Sequence, residues 1–254
     1  MSVRFTAEMY IDYYASQRGL TVEDLGAGEI AVVSWAPRVI HDLAEATGAE
    51  LATNWPRVRR RPFYTTQVGE RRVTFAEVGI GAPATVAEME DMIAAGTRAF
   101  IGLGWAGSLD PAAPIGTCLI PTSCISEEGT SRHYVEDGTN SSADPALANA
   151  LVAAASAEGA PVVLGSHWTT DAPYREFIDK IVAYGERGVL GVDMETSAMY
   201  ALGEVRGVAV CNLLVISDEL WEDWNPAFHT PELKAVTQRA QRVVLRALES
   251  GLPV

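Results

Sequence analysis

The chain has 254 residues, 48% of them apolar, and a formal charge of −14 at pH 7. That length and composition suffice for one large α/β domain or two small ones with a sizeable core, and the acidity argues against nucleic acid as a partner, since a phosphate backbone needs a basic face. No apolar run reaches the ~18 residues of a membrane span, the first residues lack the apolar stretch of a secretion signal, and Cys118, Cys124 and Cys211 show no metal spacing and fit buried thiols in a reducing cytoplasm.

Residues 6–17 suit a helix capped by Thr6, with Met9, Tyr10, Tyr13 and Tyr14 along one side for core or subunit packing. Residues 29–34 form a short β-rich run, and Pro37 can start the helix that carries Arg38 to Leu43. The basic cluster at 57–61 reads on its own as a solvated loop before a strand. Residues 72–79 read as a strand entering the glycine turn Gly79-Ile80-Gly81-Ala82-Pro83. A helix over 84–95 follows, with Val86, Met89, Met92 and Ile93 inward and Glu88, Glu90 and Asp91 outward. A glycine turn at a helix amino terminus suits an anion or a hydroxyl.

Residues 99–107 hold a formal GxGxxG at Gly102, Gly104 and Gly107. The dinucleotide reading requires a helix directly afterwards, and Pro111 and Pro114 forbid one. Residues 115–121 read as a strand, followed by a polar stretch whose Glu128, Arg132, His133 and Tyr134 either face a ligand or close a loop. Asp144 caps a helix over 145–157. Residues 161–165 read as a strand, and Thr170 and Asp171 stand ready to cap a helix over 173–184.

Residues 188–220 read as a turn, a helix opening at Asp193 and a buried strand over 208–216. Met194, Ala198, Ala201, Leu202 and Val205 share one helix face. Glu195 falls in the first turn, where the helix dipole favours a carboxylate. Ser217 and Asp218 follow at the carboxyl end of the strand, the side on which α/β sheets bind ligands. Glu195 and Asp218 are therefore expected at one pocket; capping and a surface turn are the plainer alternative. Trp221 and Trp224 lie in an exposed-looking loop fit for a lid or a subunit contact. The last helix starts at Thr230-Pro231 and runs to Glu249.

GVDMETSAMYAL at 191–202 and LLVISDEL at 213–220 resemble the carboxyl-terminal signature of the nucleoside phosphorylase superfamily, which holds purine nucleoside phosphorylases, uridine phosphorylases and some nucleosidases. The resemblance covers residues 29–248. It implies a single α/β domain over 29–254 after an amino-terminal helical segment, 1–28, with a mixed, mostly parallel central β-sheet flanked by helices. It implies a pentosyltransferase that cleaves the N-glycosidic bond of a nucleoside with phosphate, needs no metal or organic cofactor and works as a homo-oligomer (dimer, trimer or hexamer) in the cytoplasm.

By the same resemblance Glu195 bridges the sugar hydroxyls with Met194 against the pentose, and Asp218 meets the ring nitrogen of the leaving base, with Ser217 beside it. Arg38 holds phosphate, Gly81 lies along the nucleoside and phosphate, and Arg61 serves a neighbouring subunit's phosphate site. The stretch Trp168-Thr169-Thr170-Asp171 is similar to the base-site segment of the uridine branch, with Trp168 stacking on the base and Arg175 donating to its carbonyl. Asp218 points to a purine instead, so the base stays open. This sequence has Gly102 and Trp105 where phosphorylases carry an arginine and a serine or threonine in the turn lining the phosphate pocket. Water is therefore a rival acceptor, with Glu128 as a candidate activating carboxylate; an inactive relative is the third reading.

Overall fold

In the computed structural model, which describes residues 3–136 and 138–253, the longest apolar runs become strands buried on both faces. Three of them, β1 (Ile30–Ser34), β5 (Ala99–Ser108) and β10 (Ala209–Glu219), lie side by side in parallel. Strands covered by helices on both sides need apolar residues at every position, which is why these runs do not alternate. Around them lie β2 (Glu50–Leu51), β3 (Phe63–Val68), β4 (Arg71–Glu77), β6 (Cys118–Glu127), β7 (Ser141–Ser142), β8 (Val162–Thr170), β9 (Val189–Asp193) and β11 (Asn225–Pro226).

The sheet order is β11-β10-β6-β8-β9-β5-β1-β4-β3-β2, and β10 also pairs with β5. That extra ladder closes β10, β6, β8, β9 and β5 into a barrel, with β1, β4, β3 and β2 as an open wing. The long ladders β10–β5 and β6–β8 are parallel, whereas β10–β6, β5–β9 and β3–β4 are antiparallel. The sheet is mixed, as expected, but it is not mostly parallel, and part of it closes into a barrel. The physical reason lies in β9, read from sequence as a turn. A side chain at Gly191 would come within 2.9 Å of Leu119 and 3.0 Å of the Gly107 carbonyl, so only glycine lets β9 slot between β8 and β5.

Helices cover both faces: α1 (Ala7–Ser16), α2 (Pro37–Thr47), α3 (Ala82–Ala94), α4 (Pro145–Ala157), α5 (Ile178–Gly185), α6 (Thr196–Arg206) and α7 (Pro231–Glu249). Ile30 and Val32 of β1 join α2, α4 and α7 in one core, while Ala31 and Val33 join α1, α3 and α6 in the other. The alternation follows from the two-residue period of a strand. Val236, Ala240, Val243, Val244, Ala247 and Leu248 all face inward from α7, and Thr230 caps it through the Leu233 N–H. The Asp144 cap of α4 accepts from the Ala146 and Leu147 N–H groups.

Several expectations fail in detail. In α1 the buried residues are Ile11 and Ala15, with Tyr10 and Tyr14 half-buried against the same core, while Met9 and Tyr13 stay exposed, so only part of the expected stripe packs. Asp91 of α3 points inward, because Arg57 reaches it and neutralises a charge that burial would otherwise expel. The helix expected over 173–184 is broken into a 3-10 turn, Pro173–Arg175, and α5. Thr170 and Asp171 do not cap α5, since Asp171 instead accepts from the Gly129 N–H. Trp224 is exposed, but Trp221 is half-buried. No helix among the described residues is long and apolar enough to cross a membrane, and the three cysteines are buried and unpaired.

Candidate active site

The site begins where β9 ends. Asp193 closes that strand rather than opening the helix, and α6 starts at Thr196. The Asp193 carboxylate accepts from Thr169 Oγ1 at 2.7 Å, from the Thr196 N–H at 3.1 Å and from the Thr196 hydroxyl. His167 Nε2 lies 3.3 Å away, fully buried. Burial alone would raise the Asp193 pKa; the neighbouring His167 and the hydrogen bonds from Thr196 and Thr169 outweigh it and hold the group below the usual carboxylate range. Asp193 thus pins the short link Met194-Glu195 between β9 and α6.

Glu195 is buried, and its Oε1 accepts the Gly81 N–H at 2.6 Å. Gly81 opens α3 with a φ of +91°, a conformation that side chains rarely adopt, so glycine is what aims this N–H at the carboxylate. Burial, and then the nearby charge of Asp193, push Glu195 up to about 8, with the Gly81 N–H acting in the opposite direction.

Asp218 lies in the last turn of β10, beyond a register slip against β5 between Ile216 and Asp218. Such irregularities re-aim side chains at strand ends. Asp218 Oδ1 accepts from Ser217 Oγ at 2.8 Å and Oδ2 from Trp224 Nε1 at 3.0 Å.

Two adjoining cavities, of about 710 and 420 Å³, share Trp105, Asp193 and Met194 in their walls. Ser217, Asp218, Glu176, Trp224 and Phe228 line the larger lobe. Glu195, Arg38, Trp35, Ile80, Leu103 and Thr237 line the smaller. Glu195 and Asp218 therefore open onto one cleft from either side of Met194. Another cavity of about 710 Å³ lies beside Arg98 and Asp144, but Arg98 there donates to the Ile93 and Thr97 carbonyls and Asp144 caps α4.

Other residues singled out from sequence stand apart. Arg38 edges the smaller lobe, yet its side chain is 84% exposed and bonded to Asp42 at 2.8 Å. Arg61 is held by Glu88 at 2.7 Å. Trp105 turns its Nε1 to Thr237 at 3.2 Å, leaving the indole in the wall shared by both lobes. The expected glycine turn at 102–107 is continuous strand. Behind it, a side chain at Gly102 would meet the Asn212 amide oxygen at 2.3 Å, so the arginine of the family pattern has no room here.

Trp168 corrects the base-stacking expectation. β8 runs on to Thr170, which buries Trp168 at 1% exposure edge-on to Tyr184, 5.2 Å between ring centres. Arg175 sits over the Phe177 ring at 4.8 Å and is not in the cleft wall. Glu128 is buried away from the cleft. Burial would raise its pKa, but hydrogen bonds from Ser131, Ser126 and the Thr130 N–H lower it, and Ser197 adds another at 3.0 Å. Its lone pairs are occupied, which removes it as a base for water here.

Sequence reasoning missed Glu176, Phe228 and Thr237. Glu176 is pushed up to about 7, first by burial and then by the charge of Asp218. Its signal was faint: an acid directly after Pro173-Tyr174-Arg175, assigned to a helix that does not form there.

Paired carboxyl groups in a two-lobed cleft at the carboxyl ends of parallel strands mark a small-molecule enzyme site of the α/β class. A model of the phosphorylase superfamily matches residues 29–249. The chain is 25% identical to the guanosine phosphorylase of Halorubrum lacusprofundi over 242 residues, 92% of this chain and 98% of that protein. It is 25% identical to the uridine phosphorylase of Salmonella typhimurium over 206 residues, 75% of this chain and 80% of that one. It is 27% identical to a DeoD-type purine nucleoside phosphorylase of Bacillus thuringiensis over 177 residues, 69% and 75% of the two chains. The chain belongs to the phosphorylase superfamily and is an enzyme of that type.

Proposed function

We propose that this enzyme cleaves the N-glycosidic bond of a nucleoside with phosphate, releasing the free base and a pentose 1-phosphate. The observation that carries the reading is the opening of Glu195 and Asp218 onto one cleft on either side of Met194. A carboxylate offers two acceptor oxygens, enough for two vicinal sugar hydroxyls. Its charge also favours the oxocarbenium character that the sugar gains as the bond breaks. Met194 packs against the pentose, and Ser217 and Asp218 meet the base. A purine is favoured, because Asp218 reaches the cleft while Trp168 and Arg175 do not. Phosphate enters as co-substrate beside Arg38, and no metal or organic cofactor takes part. The protein works as a cytoplasmic homo-oligomer, with exposed Tyr174, Phe177 and Ile178 next to the cleft as contact surface and no nucleic-acid or membrane partner.

One observation favours water as the acceptor instead. The smaller lobe is walled by Trp35, Ile80, Leu103 and Trp105, and Arg38 and Arg61 are tied to Asp42 and Glu88. A phosphate dianion needs fixed cationic or N–H donors, so Arg38 must leave Asp42 to supply one. The retained carboxyl pair argues against an inactive relative.

Incubation with inosine, guanosine, adenosine and uridine, with and without phosphate, separates these readings. Phosphorolysis gives phosphate-dependent base release with equimolar pentose 1-phosphate. Equal rates without phosphate, with free pentose as product, transfer the assignment to hydrolysis. No base release from any nucleoside rejects both.

A further inference from the structure

Three carboxyl groups line the larger lobe, and the protein itself engages two of them. Asp193 accepts from Thr169 and Thr196, and Asp218 accepts from Ser217 and Trp224. Glu176, at the break between the Pro173–Arg175 turn and α5, differs. Among the described residues nothing donates a hydrogen bond to either of its oxygens, although the side chain is set into the wall of the lobe. The Arg175 guanidinium beside it is turned to the Phe177 ring, and no cation of the described residues lines the lobe. A carboxyl group held in a cleft wall without a protein partner is completed by what the cleft binds.

We propose that Glu176 reads the six-membered ring of the base and selects 2-amino-6-oxopurine nucleosides, with guanosine the preferred substrate. The assignment rests on the nucleoside-cleaving reading above and names the residue that sets base specificity within it; Asp218 keeps the place at the base given to it there. With the sugar at Glu195 and Met194 and the five-membered ring at Asp218, a purine turns its six-membered ring to the rest of the larger lobe, where Glu176 has two unoccupied acceptors. A carboxylate presents those acceptors side by side. The N1–H and 2-amino group of guanine are two donors side by side, so the two edges join through parallel, charge-assisted hydrogen bonds. Hypoxanthine keeps only the N1–H. Adenine turns a lone pair at N1 towards the carboxylate, and uracil flanks its single N–H with two carbonyls. A base that leaves these buried acceptors unmatched binds less well. Burial, and then Asp218 on β10, hold the free Glu176 carboxyl at about 7; Asp193 at the end of β9 and the exposed Tyr174 are the other titratable groups of the wall. The donors of guanine favour the ionised form, so the preference for guanosine strengthens as pH rises through that value.

The test compares the full chain with Glu176→Gln on guanosine, inosine, adenosine and uridine, following base release with and without phosphate so that the acceptor does not enter the result. By kcat/KM the unmodified enzyme prefers guanosine to inosine by about tenfold and to adenosine by about 100-fold, near one factor of ten per charge-assisted hydrogen bond. The guanosine-to-adenosine ratio climbs as pH rises through about 7. Glutamine presents one acceptor and one donor, the complement of the adenine edge. Glu176→Gln therefore lowers kcat/KM on guanosine by about 10- to 100-fold, raises it on adenosine by about threefold, and removes the pH dependence of the ratio. The gain on adenosine also shows that the variant folds. An equal loss on guanosine and adenosine, or an unchanged ratio between them, overturns the assignment while leaving the nucleoside reading intact. So does an unmodified enzyme that favours adenosine or uridine. An unmodified enzyme that releases no base from any of the four rejects the nucleoside reading and this assignment with it.

Discussion

Replacing Glu195 by alanine lowers kcat/KM on ribonucleosides by about 10²- to 10⁴-fold, because two charge-assisted hydrogen bonds to the sugar are lost at roughly 1.5–3 kcal/mol each. The effect is large because Glu195 is prepaid in position: Asp193 fixes the link that carries it, and the Gly81 N–H orients one oxygen. Its pH dependence has a definite sign. The free carboxyl sits at about 8, and sugar hydroxyls donate best to its ionised form, so KM falls as pH rises towards that value. Stability runs the other way from binding. A carboxyl whose pKa is raised on folding contributes its full stability below the ordinary value of 4.5 and loses it as pH rises through about 8. Glu195→Gln flattens both dependences. Steady-state kinetics and thermal melts across that range check the point, and an alanine variant with ordinary kcat/KM removes Glu195 from the sugar site.

Asp193→Ala destabilises the fold by about 3–5 kcal/mol, because three buried donors, the Thr169 hydroxyl and the Thr196 N–H and hydroxyl, lose their acceptor at roughly 1–3 kcal/mol each. Melting falls by roughly 10 °C, given about 2–4 °C per kcal/mol for a domain of this size. The deletion strands His167 in a fully buried site and leaves the Thr169 and Thr196 hydroxyls without their common acceptor. Adding His167→Leu restores part of the loss, since the orphaned imidazole goes too. The acid limb follows from the depressed pKa: Asp193 stabilises the protein above the ordinary carboxylate range, and that contribution is lost as pH falls through its folded value. Circular-dichroism melts of the single and double variants measure both effects. A single variant that melts with the parent protein shows that this carboxylate is not what holds β9 to α6.

Local signals carried much of the fold into view. Proline at the first helical position marked α2, α4 and α7, and Asp144 and Thr230 cap as their residue types suggest. Continuous apolar runs marked β1, β5 and β10, and the acids after the last runs led to Glu195 and Asp218. What stayed hidden depends on partners distant in sequence. β9 is a strand only because glycines let it approach Leu119 and Gly107, and its insertion closes the barrel. Trp168 looked like an exposed stacking platform because nothing nearby shows that β8 continues past Gly165 into a pocket formed by Tyr184 and Leu109. Glu176 was lost for the converse reason: the helix expected over 173–184 in fact breaks at Phe177, which turns the acid into the cleft wall.

The most direct measurement is a crystal structure with a purine C-nucleoside, whose carbon-linked base cannot leave. The account predicts ribose hydroxyls on Glu195, the pentose over Met194, and the base between Glu176 and Asp218 with Trp224 beside it. A ligand bound elsewhere with this cleft empty, or one bound with its base towards Glu195 and its sugar towards Asp218, contradicts it.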